Sequence, residues 1–244
     1  MVMGQVFSHA YMYDLETCRS PIEKVMIPGS EDSDYEARVL QPKETLKIIS
    51  RLEYPEKVLV LLIAATAVRI SEALALQWRH VDFKCNCIHI EQAFRLAEIT
   101  GTKTKSSKAD VPMCAVLAEF LRNWRRLTPY HRDTDYVFAS DKLKGSKPRT
   151  GQMVNRHYLK PAAVAAGIIK EGERFGFHSL RHSLSTWVNT NLKDVKIAQT
   201  LLRHSTPDIT AGKYIHSVPE ENLKAQAQYV ALLLAAKPAS EAKQ

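Results

Sequence analysis

Hydrophobic and polar positions follow a helical spacing over most of the chain. An apolar run of eleven residues from Val58 to Val68, interrupted only by Thr66, is long enough for a buried helix and too short to span a bilayer. Pro42 predicts a helix through about Leu52, and Pro55 predicts the start of the next one. That helix is expected to deliver Arg69 and to continue from Ile70 to Leu76, and further helices are expected over about residues 114–126, 151–166, 179–190, 194–203 and 219–235.

Three short segments alternate apolar and polar residues, which is the pattern of a strand with one buried face. They are Val81–Phe83, Ile88–Glu91 and Ala109–Pro112, and the polar run Gly101–Lys108 before the third is expected to be a turn or a strand edge. Because helices dominate, the predicted fold is mainly α with a small antiparallel β-sheet, an α+β fold.

The two ends of the chain differ from its middle. Residues 5–17 have a helical pattern, and Pro28, Gly29 and the acidic polar stretch 30–34 separate it from the rest. A single amphipathic helix has nothing to bury its apolar face against, so this segment is not expected to fold alone. At the other end, the Ala-rich stretch from Leu232 is expected to fray, with residues 237–244 as a frayed tail.

The chain of 244 residues has an ordinary globular composition and a formal net charge of +8. This charge favours an anionic partner such as nucleic acid, although a basic protein need not bind one. Basic clusters at Arg122, Arg125, Arg126 and Lys142–Arg149 are candidates for DNA-backbone contacts, or are solvated faces.

The four cysteines show no metal-ligand pattern, because Cys85-Asn86-Cys87 has the wrong spacing for a zinc knuckle and Cys18 and Cys114 are isolated. No metal or other cofactor is therefore expected. The N-terminus has no basic region followed by an apolar core, so no signal peptide is expected. A reduced, cytoplasmic protein without a membrane span is the interpretation that these features favour.

Two arginines, two histidines and a tyrosine carry the most informative chemistry. They are Arg69 before Ile-Ser-Glu, His178 and Arg181 in His-Ser-Leu-Arg-His, His204 in Leu-Leu-Arg-His, and Tyr214 ten residues later. Arginine offers a planar fork of donors that matches phosphate oxygens two at a time. A phenol is a plausible nucleophile once its proton is removed. Such a set can attack a phosphodiester without a metal.

In these motifs the chain resembles the tyrosine recombinases, the phage-integrase type of site-specific DNA recombinase. The shared pattern also includes a lysine in a β-hairpin, and it covers roughly residues 38–230. One residue departs from it, because Arg203 stands where the family has glycine before His204. This departure implies a different helix end or an extra phosphate contact, and it removes no catalytic group.

The resemblance implies a role for each residue. Tyr214 attacks one strand of duplex DNA and forms a 3′-phosphotyrosyl link. Arg69 and Arg181 hold the non-bridging phosphate oxygens, His204 donates a hydrogen bond to the phosphate, and His178 assists proton movement.

Two further assignments leave alternatives open. Lys103 best matches the family's hairpin lysine, which protonates the departing 5′-oxygen, and Lys105 is the next candidate in the same polar run. Glu72 is expected to orient Arg69 or a histidine, or else to be an ordinary carboxylate on a helix surface.

Two competing interpretations have less support. Tyr229 is a second phenol near the C-terminus, but Tyr214 alone has the family's distance from His204. His178 and His182 lie one helical turn apart, but the zinc-protease pattern requires Glu directly after the first histidine, where this chain has serine.

The family also has a separate helical core-binding domain before its catalytic domain. The resemblance therefore implies that residues 1–20 are the last helix of a truncated core-binding domain, 21–37 a linker and 38–236 the catalytic domain. It implies a site-specific recombinase or integrase that acts on double-stranded DNA as a tetramer of identical subunits on two duplexes, and that is associated with the nucleoid when bound. A DNA-relaxing or resolving enzyme with the same tyrosine chemistry, or an inactive basic DNA-binding module, remain as alternatives.

Overall fold

A computed structural model describes residues 38–95, 97–101, 109–192 and 220–235 of the chain. All of them belong to one compact unit that begins at Ala37. Several predicted features lie outside the described residues: the helices at 5–17 and 194–203, the linker, the C-terminal tail, Lys103, Lys105, His204 and Tyr214.

Within the described residues, the helices follow the predicted segments with small shifts at their ends. They are α1 (Pro42–Ile49), α2 (Glu56–Thr66), α3 (Ile70–Leu74), α4 (Ala115–Leu127), α5 (Gly151–Val154), α6 (Lys160–Ala165), α7 (Phe177–Leu192) and α8 (Glu220–Ala235). Fraying was expected from Leu232, but α8 continues to Ala235 because Leu233 is fully buried against the core. None of the helices described is long and apolar enough to cross a membrane.

Helix α2 is the centre of the fold. It packs against α1, α4, α7 and α8, and all its residues except Lys57 are buried. Burial on every side explains why its sequence is a continuous apolar run instead of an amphipathic stripe.

The helical conformation ends after α2, although the sequence predicted that it would continue through Leu76. Ala67 has a left-handed backbone with φ 52°, and Arg69 is extended with ψ 144°. The left-handed conformation costs a residue with a Cβ atom about 1–2 kcal/mol. Tertiary contacts must therefore hold Ala67 in place, and the break leaves Arg69 as the residue that caps the N-terminus of α3.

The predicted three strands form one antiparallel sheet. They are β1 (Val81–Asp82), β2 (Cys87–Ile90) and β5 (Ala109–Pro112), in the order β1-β2-β5. A second hairpin of β3 (Gln92–Arg95) and β4 (Glu98–Gly101) was missed by the sequence analysis. Of the side chains described in this hairpin, Phe94 is buried and the others are at least partly exposed, so no alternating pattern marks it.

Helices α5 and α6 are joined by a π-helical turn over Asn155–Leu159, and Pro161 is the second residue of α6. The Lys160 N–H donates to the Asn155 carbonyl at the end of this turn. Proline has no N–H to donate to the previous turn and its ring crowds that turn, so the irregularity is located where the regular α-helical bonding fails.

Helix α8 is attached to the sheet by one fully buried amide. Gln226 Oε1 accepts from the Cys114 N–H at 2.6 Å, and Gln226 Nε2 donates to the Pro112 carbonyl at 2.8 Å. These two bonds satisfy the backbone where β5 ends and α4 begins.

Replacement of Gln226 by alanine should destabilise the protein by about 2–4 kcal/mol, because two buried backbone groups lose their partner. Urea unfolding followed by circular dichroism measures the change. Gln228→Ala is the matched control, since Gln228 is exposed on the same helix and its loss should change stability by no more than about 0.5 kcal/mol. Equal midpoints for the two variants would contradict the assignment.

Candidate active site

Arg69 is held by the glutamate three residues after it. Its N–H donates to Glu72 Oε2 at 2.9 Å, and its guanidinium Nη1 lies 3.1 Å from Glu72 Oε1. The Arg69 side chain is 41% exposed, whereas that of Glu72 is 12% exposed. The carboxylate is thus shielded and directs a guanidinium that still reaches the surface, where an anion can bind it.

Arg181 is buried at the interface between α7 and the end of α2. It retains only 6% of its exposure, and its Nη1 donates to the carbonyl of Ala67. Ala67 stands two residues before Arg69, so the Arg181 side chain contacts the backbone next to an arginine that lies more than a hundred residues away in the chain. A guanidinium has five N–H donors in a planar fork, so anchoring through one nitrogen is compatible with phosphate binding through the others.

His178 lies in the first turn of α7 and is exposed. It precedes Arg181 by three residues, which places both on neighbouring positions of one helix face. The N-terminus of a helix has the positive end of the helix dipole and favours an anion nearby. This part of α7 therefore combines a buried cation, an exposed imidazole and a favourable dipole.

His182 is a partner of His178 that the sequence analysis did not assign to the site. The two Nε2 atoms are 2.8 Å apart, and the ring centroids are 4.4 Å apart with the ring planes at 80°. One ring must donate and the other accept, so both rings cannot be protonated while this bond persists. The spacing of four residues was the available signal, because it places two side chains on one helix face.

Tyr229, the rival phenol, is unsuited to attack a substrate. It is fully buried in α8, and its ring centroid lies 5.3 Å from that of Trp187. Burial raises the pKa of Tyr229 to about 12, which disfavours the phenolate further. The described geometry therefore excludes this rival, while Tyr214, His204 and Lys103 lie outside the described residues.

The cluster Lys142–Arg149 was expected to contact the DNA backbone or to form a solvated face, and Arg149 departs from this expectation because it is engaged within the protein. Its guanidinium is paired with the buried carboxylate of Glu56 and with Asp141 Oδ2 at 2.8 Å, and its side chain is only 12% exposed. Burial raises the pKa of Glu56 above its usual value, although the charge of Arg149 opposes the shift. Arg149 therefore secures its loop to α2, while Lys142 and Lys144 remain exposed.

The other basic cluster, on α4, is also engaged with neighbouring side chains. Arg125 Nη2 lies 2.6 Å from Asp133 Oδ1, and the Arg122 guanidinium lies 5.0 Å from the centre of the Phe83 ring. Both arginines thus have structural partners, although such exposed contacts can exchange for a phosphate at little cost.

Metal-ligand side chains meet at a different place. Among the residues described, Asp82, Cys87 and His89 on the three-stranded sheet have ligand atoms close enough to share an ion. None of these belongs to the arginine and histidine set.

Comparison with known proteins identifies the fold and the family. The model of the phage integrase family matches residues 38–221. Tyrosine recombinase XerD of Vibrio cholerae is 26% identical over 179 residues, which cover 72% of this chain and 53% of that protein. The integrase of Salmonella phage P22 is 25% identical over 173 residues, which cover 70% of this chain and 40% of the integrase. The chain spans about half the length of the curated relatives it matches.

Solved structures of low sequence identity have the same fold. The integrase of transposon Tn1549, in complex with transposon right end DNA, has a TM-score of 0.63 at 17% identity, covering 94% of this chain and 78% of that chain. A lambda integrase dimer bound to a COC′ core site has a TM-score of 0.55 at 20% identity, covering 84% and 69%. These likenesses confirm the predicted, mainly α fold with small antiparallel sheets. Since the family model matches well over half of the chain, the chain belongs to the phage integrase family of tyrosine recombinases.

Proposed function

We propose that this chain cleaves and rejoins DNA strands through a 3′-phosphotyrosine intermediate, as the catalytic part of a site-specific recombinase or integrase. The observation that carries the proposal is the buried contact of Arg181 with the Ala67 carbonyl. Through this contact Arg181 reaches the backbone two residues before Arg69, and His178 lies one turn earlier on the helix of Arg181, which supports a common site for the three residues. This convergence supplies two cations and an imidazole for one phosphate.

In the proposed reaction the phenolic oxygen of Tyr214 attacks the phosphorus of one strand. A new bond forms between that oxygen and phosphorus, and the bond to the 5′-oxygen of the next nucleotide breaks. Arg69 and Arg181 bind the non-bridging oxygens as negative charge builds on them, and His204 adds a hydrogen bond. These groups need no reorganisation during the reaction because Glu72 and the Ala67 carbonyl already hold both arginines.

The reaction needs two proton transfers, one from the attacking phenol and one to the departing 5′-oxygen. His178 assists loss of the Tyr214 proton. Because His178 is hydrogen-bonded to His182, the proton can be held by the pair of imidazole rings. Lys103 donates a proton to the departing 5′-oxygen, so that a neutral hydroxyl leaves. The phosphotyrosyl bond retains the energy of the phosphodiester, and a 5′-hydroxyl from another strand can reverse the attack and exchange strands.

The partner in this proposal is double-stranded DNA. The net charge of +8 favours it, and the Tn1549 and lambda integrases of the same fold were solved with DNA. Four copies of this chain on two duplexes would bring the exchanging strands together, and their action on DNA would place them in the cytoplasm at the nucleoid.

A DNA-relaxing enzyme with the same tyrosine chemistry is the second candidate, and a basic DNA-binding module without activity is the third. Covalent capture separates the module from both enzymes. Junction sequencing after incubation with a randomised pool of nicked duplexes separates the enzymes, because relaxation creates no new junctions.

Tyr214→Phe should abolish covalent attachment to DNA and leave binding nearly unchanged, because only the phenolic oxygen is lost. The measurement is the DNA that remains attached to protein after denaturation, starting from the randomised nicked duplexes. Tyr229→Phe is the matched control and should give wild-type amounts, because that phenol is buried. Adducts that persist in Tyr214→Phe and map to another tyrosine would overturn the nucleophile assignment.

Lys103→Ala should slow cleavage by about 10²–10⁴-fold, the usual loss when a general acid is removed. Lys105→Ala serves as the neighbouring control and should have a much smaller effect. A substrate with a 5′-thio leaving group scarcely needs a proton, so it should restore cleavage by Lys103→Ala. If it instead restores Lys105→Ala and leaves Lys103→Ala slow, Lys105 is the general acid.

A further inference from the structure

Four polar side chains share the outer face of the three-stranded sheet. Asp82 on β1 pairs with Cys87 on β2, and His89 on β2 pairs with Asp110 on β5. Paired residues of an antiparallel sheet face the same side, and so do alternate residues of one strand. The opposite side faces the core through Val81, Ile88, Ile90 and Val111. The register of the sheet therefore gathers one thiol, one imidazole and two carboxylates that the proposed recombination chemistry does not use.

Three of these side chains are already at metal-ligand separations. One ligand atom each from Asp82, Cys87 and His89 lies within 4.8 Å of the other two. Cys87 Sγ and His89 Nε2 are 3.7 Å apart. Two ligands of a tetrahedral zinc, with bonds of about 2.3 Å to sulfur and about 2.1 Å to nitrogen, stand about 3.6 Å apart. The sulfur and nitrogen are thus separated by the distance that one ion would require.

Asp110 prepares the imidazole for this role. His89 Nδ1 lies 2.6 Å from Asp110 Oδ1, so the carboxylate accepts the Nδ1 proton. The lone pair then resides on Nε2, the nitrogen that faces the sulfur. A carboxylate behind a histidine ligand is the common arrangement in protein zinc sites, where it fixes the ring and raises its basicity.

The turn between β1 and β2 supplies the remaining donors. Asp82 Oδ1 accepts from the Lys84 N–H at 2.7 Å and the Cys85 N–H at 2.9 Å, which fixes the position of the carboxylate. Cys85, whose N–H makes the second of these bonds, also carries an exposed thiol. A second sulfur is therefore carried by a residue whose backbone is fixed to Asp82, and its exposed side chain would turn toward the three clustered ligand atoms to complete the set.

We propose that Asp82, Cys87 and His89 bind one Zn²⁺ ion, with Cys85 as the fourth ligand. Two sulfurs, one imidazole and one carboxylate form a donor set that suits zinc and is too soft for Mg²⁺ or Ca²⁺. Each thiol gives up its proton to solvent as its bond to the ion forms, and no electron is transferred. The ion ties the β1–β2 turn to the middle strand and, through Asp110, braces β5.

The test uses full-length protein without an affinity tag, treated with a chelator and kept reduced. Co²⁺ is the probe, since it takes the tetrahedral geometry of zinc and reports bound thiolate by a sulfur-to-cobalt charge-transfer band. The expected result is saturation at one equivalent, with intense visible bands that Zn²⁺ abolishes by displacement. Absence of the charge-transfer band, or saturation at a different stoichiometry, would overturn the proposal.

Variants identify the ligands. Cys87→Ser and His89→Gln should each abolish saturable binding, and Asp110→Asn should weaken it about 10–100-fold, as loss of a partner behind a ligand does. Cys85→Ser should reduce the charge-transfer intensity by about half, because one of the two thiolates of a zinc-type site is lost. Cys114→Ser and His157→Gln are the matched controls, a thiol and an imidazole outside the cluster, and should bind as wild type.

Because Cys87 is buried, its serine variant is compared by circular dichroism before binding is scored, and His89→Gln provides the same test at a partly exposed side chain. Binding that survives His89→Gln in folded protein, or that is lost in Cys114→Ser, would show that the ion binds elsewhere. In that case the outer face of the sheet is an ordinary hydrogen-bonded surface.

Discussion

The contact between the Arg181 guanidinium and the Ala67 carbonyl is the constraint on which the candidate site depends. The carbonyl belongs to a left-handed residue that ends the most buried helix of the fold, and the guanidinium comes from the helix packed against it. A buried cation is costly unless hydrogen bonds satisfy it, and a left-handed alanine is costly unless its neighbours hold it. Each cost is offset by the same bond. Loss of the bond would therefore weaken both the left-handed turn before Arg69 and the anchoring of Arg181.

The polar groups of the candidate site differ in their exposure to solvent. Arg181 is almost fully buried, Arg69 is partly exposed behind a shielded Glu72, and His178 is exposed at the start of its helix. The two groups that we propose to act as cations are therefore held by neighbours, while the group that we propose to move a proton is accessible to solvent. This arrangement suits electrostatic stabilisation of a phosphate, because fixed dipoles and charges act without reorganisation.

Local pattern was sufficient for most helices and for the first sheet, because periodicity and proline positions are properties of short segments. The motifs also predict that Arg69, His178 and Arg181 belong to one site, and the contact of Arg181 with the backbone just before Arg69 agrees with that prediction. The break at Ala67 was not predictable, since no glycine marks it and a contact from α7 stabilises it. The β3–β4 hairpin was missed because Phe94 is the one buried side chain among those described in it, which is too few to give the alternation that reveals a strand.

Arginine shows why residue type and position in the chain do not determine role. Arg149 lies among lysines in a polar loop, yet it forms an ion pair with a buried carboxylate 93 residues earlier. That ion pair fixes the loop to α2. Arg181 has the same chemistry and similar burial, but its partner is a neutral carbonyl, so its positive charge is not cancelled at that contact. The two arginines thus differ in the charge of the group at these contacts, and that group is set by tertiary structure instead of by the neighbouring sequence. The cysteine and histidine of the outer sheet face follow the same logic, since strand register, not sequence spacing, sets Cys87 and His89 beside two carboxylates.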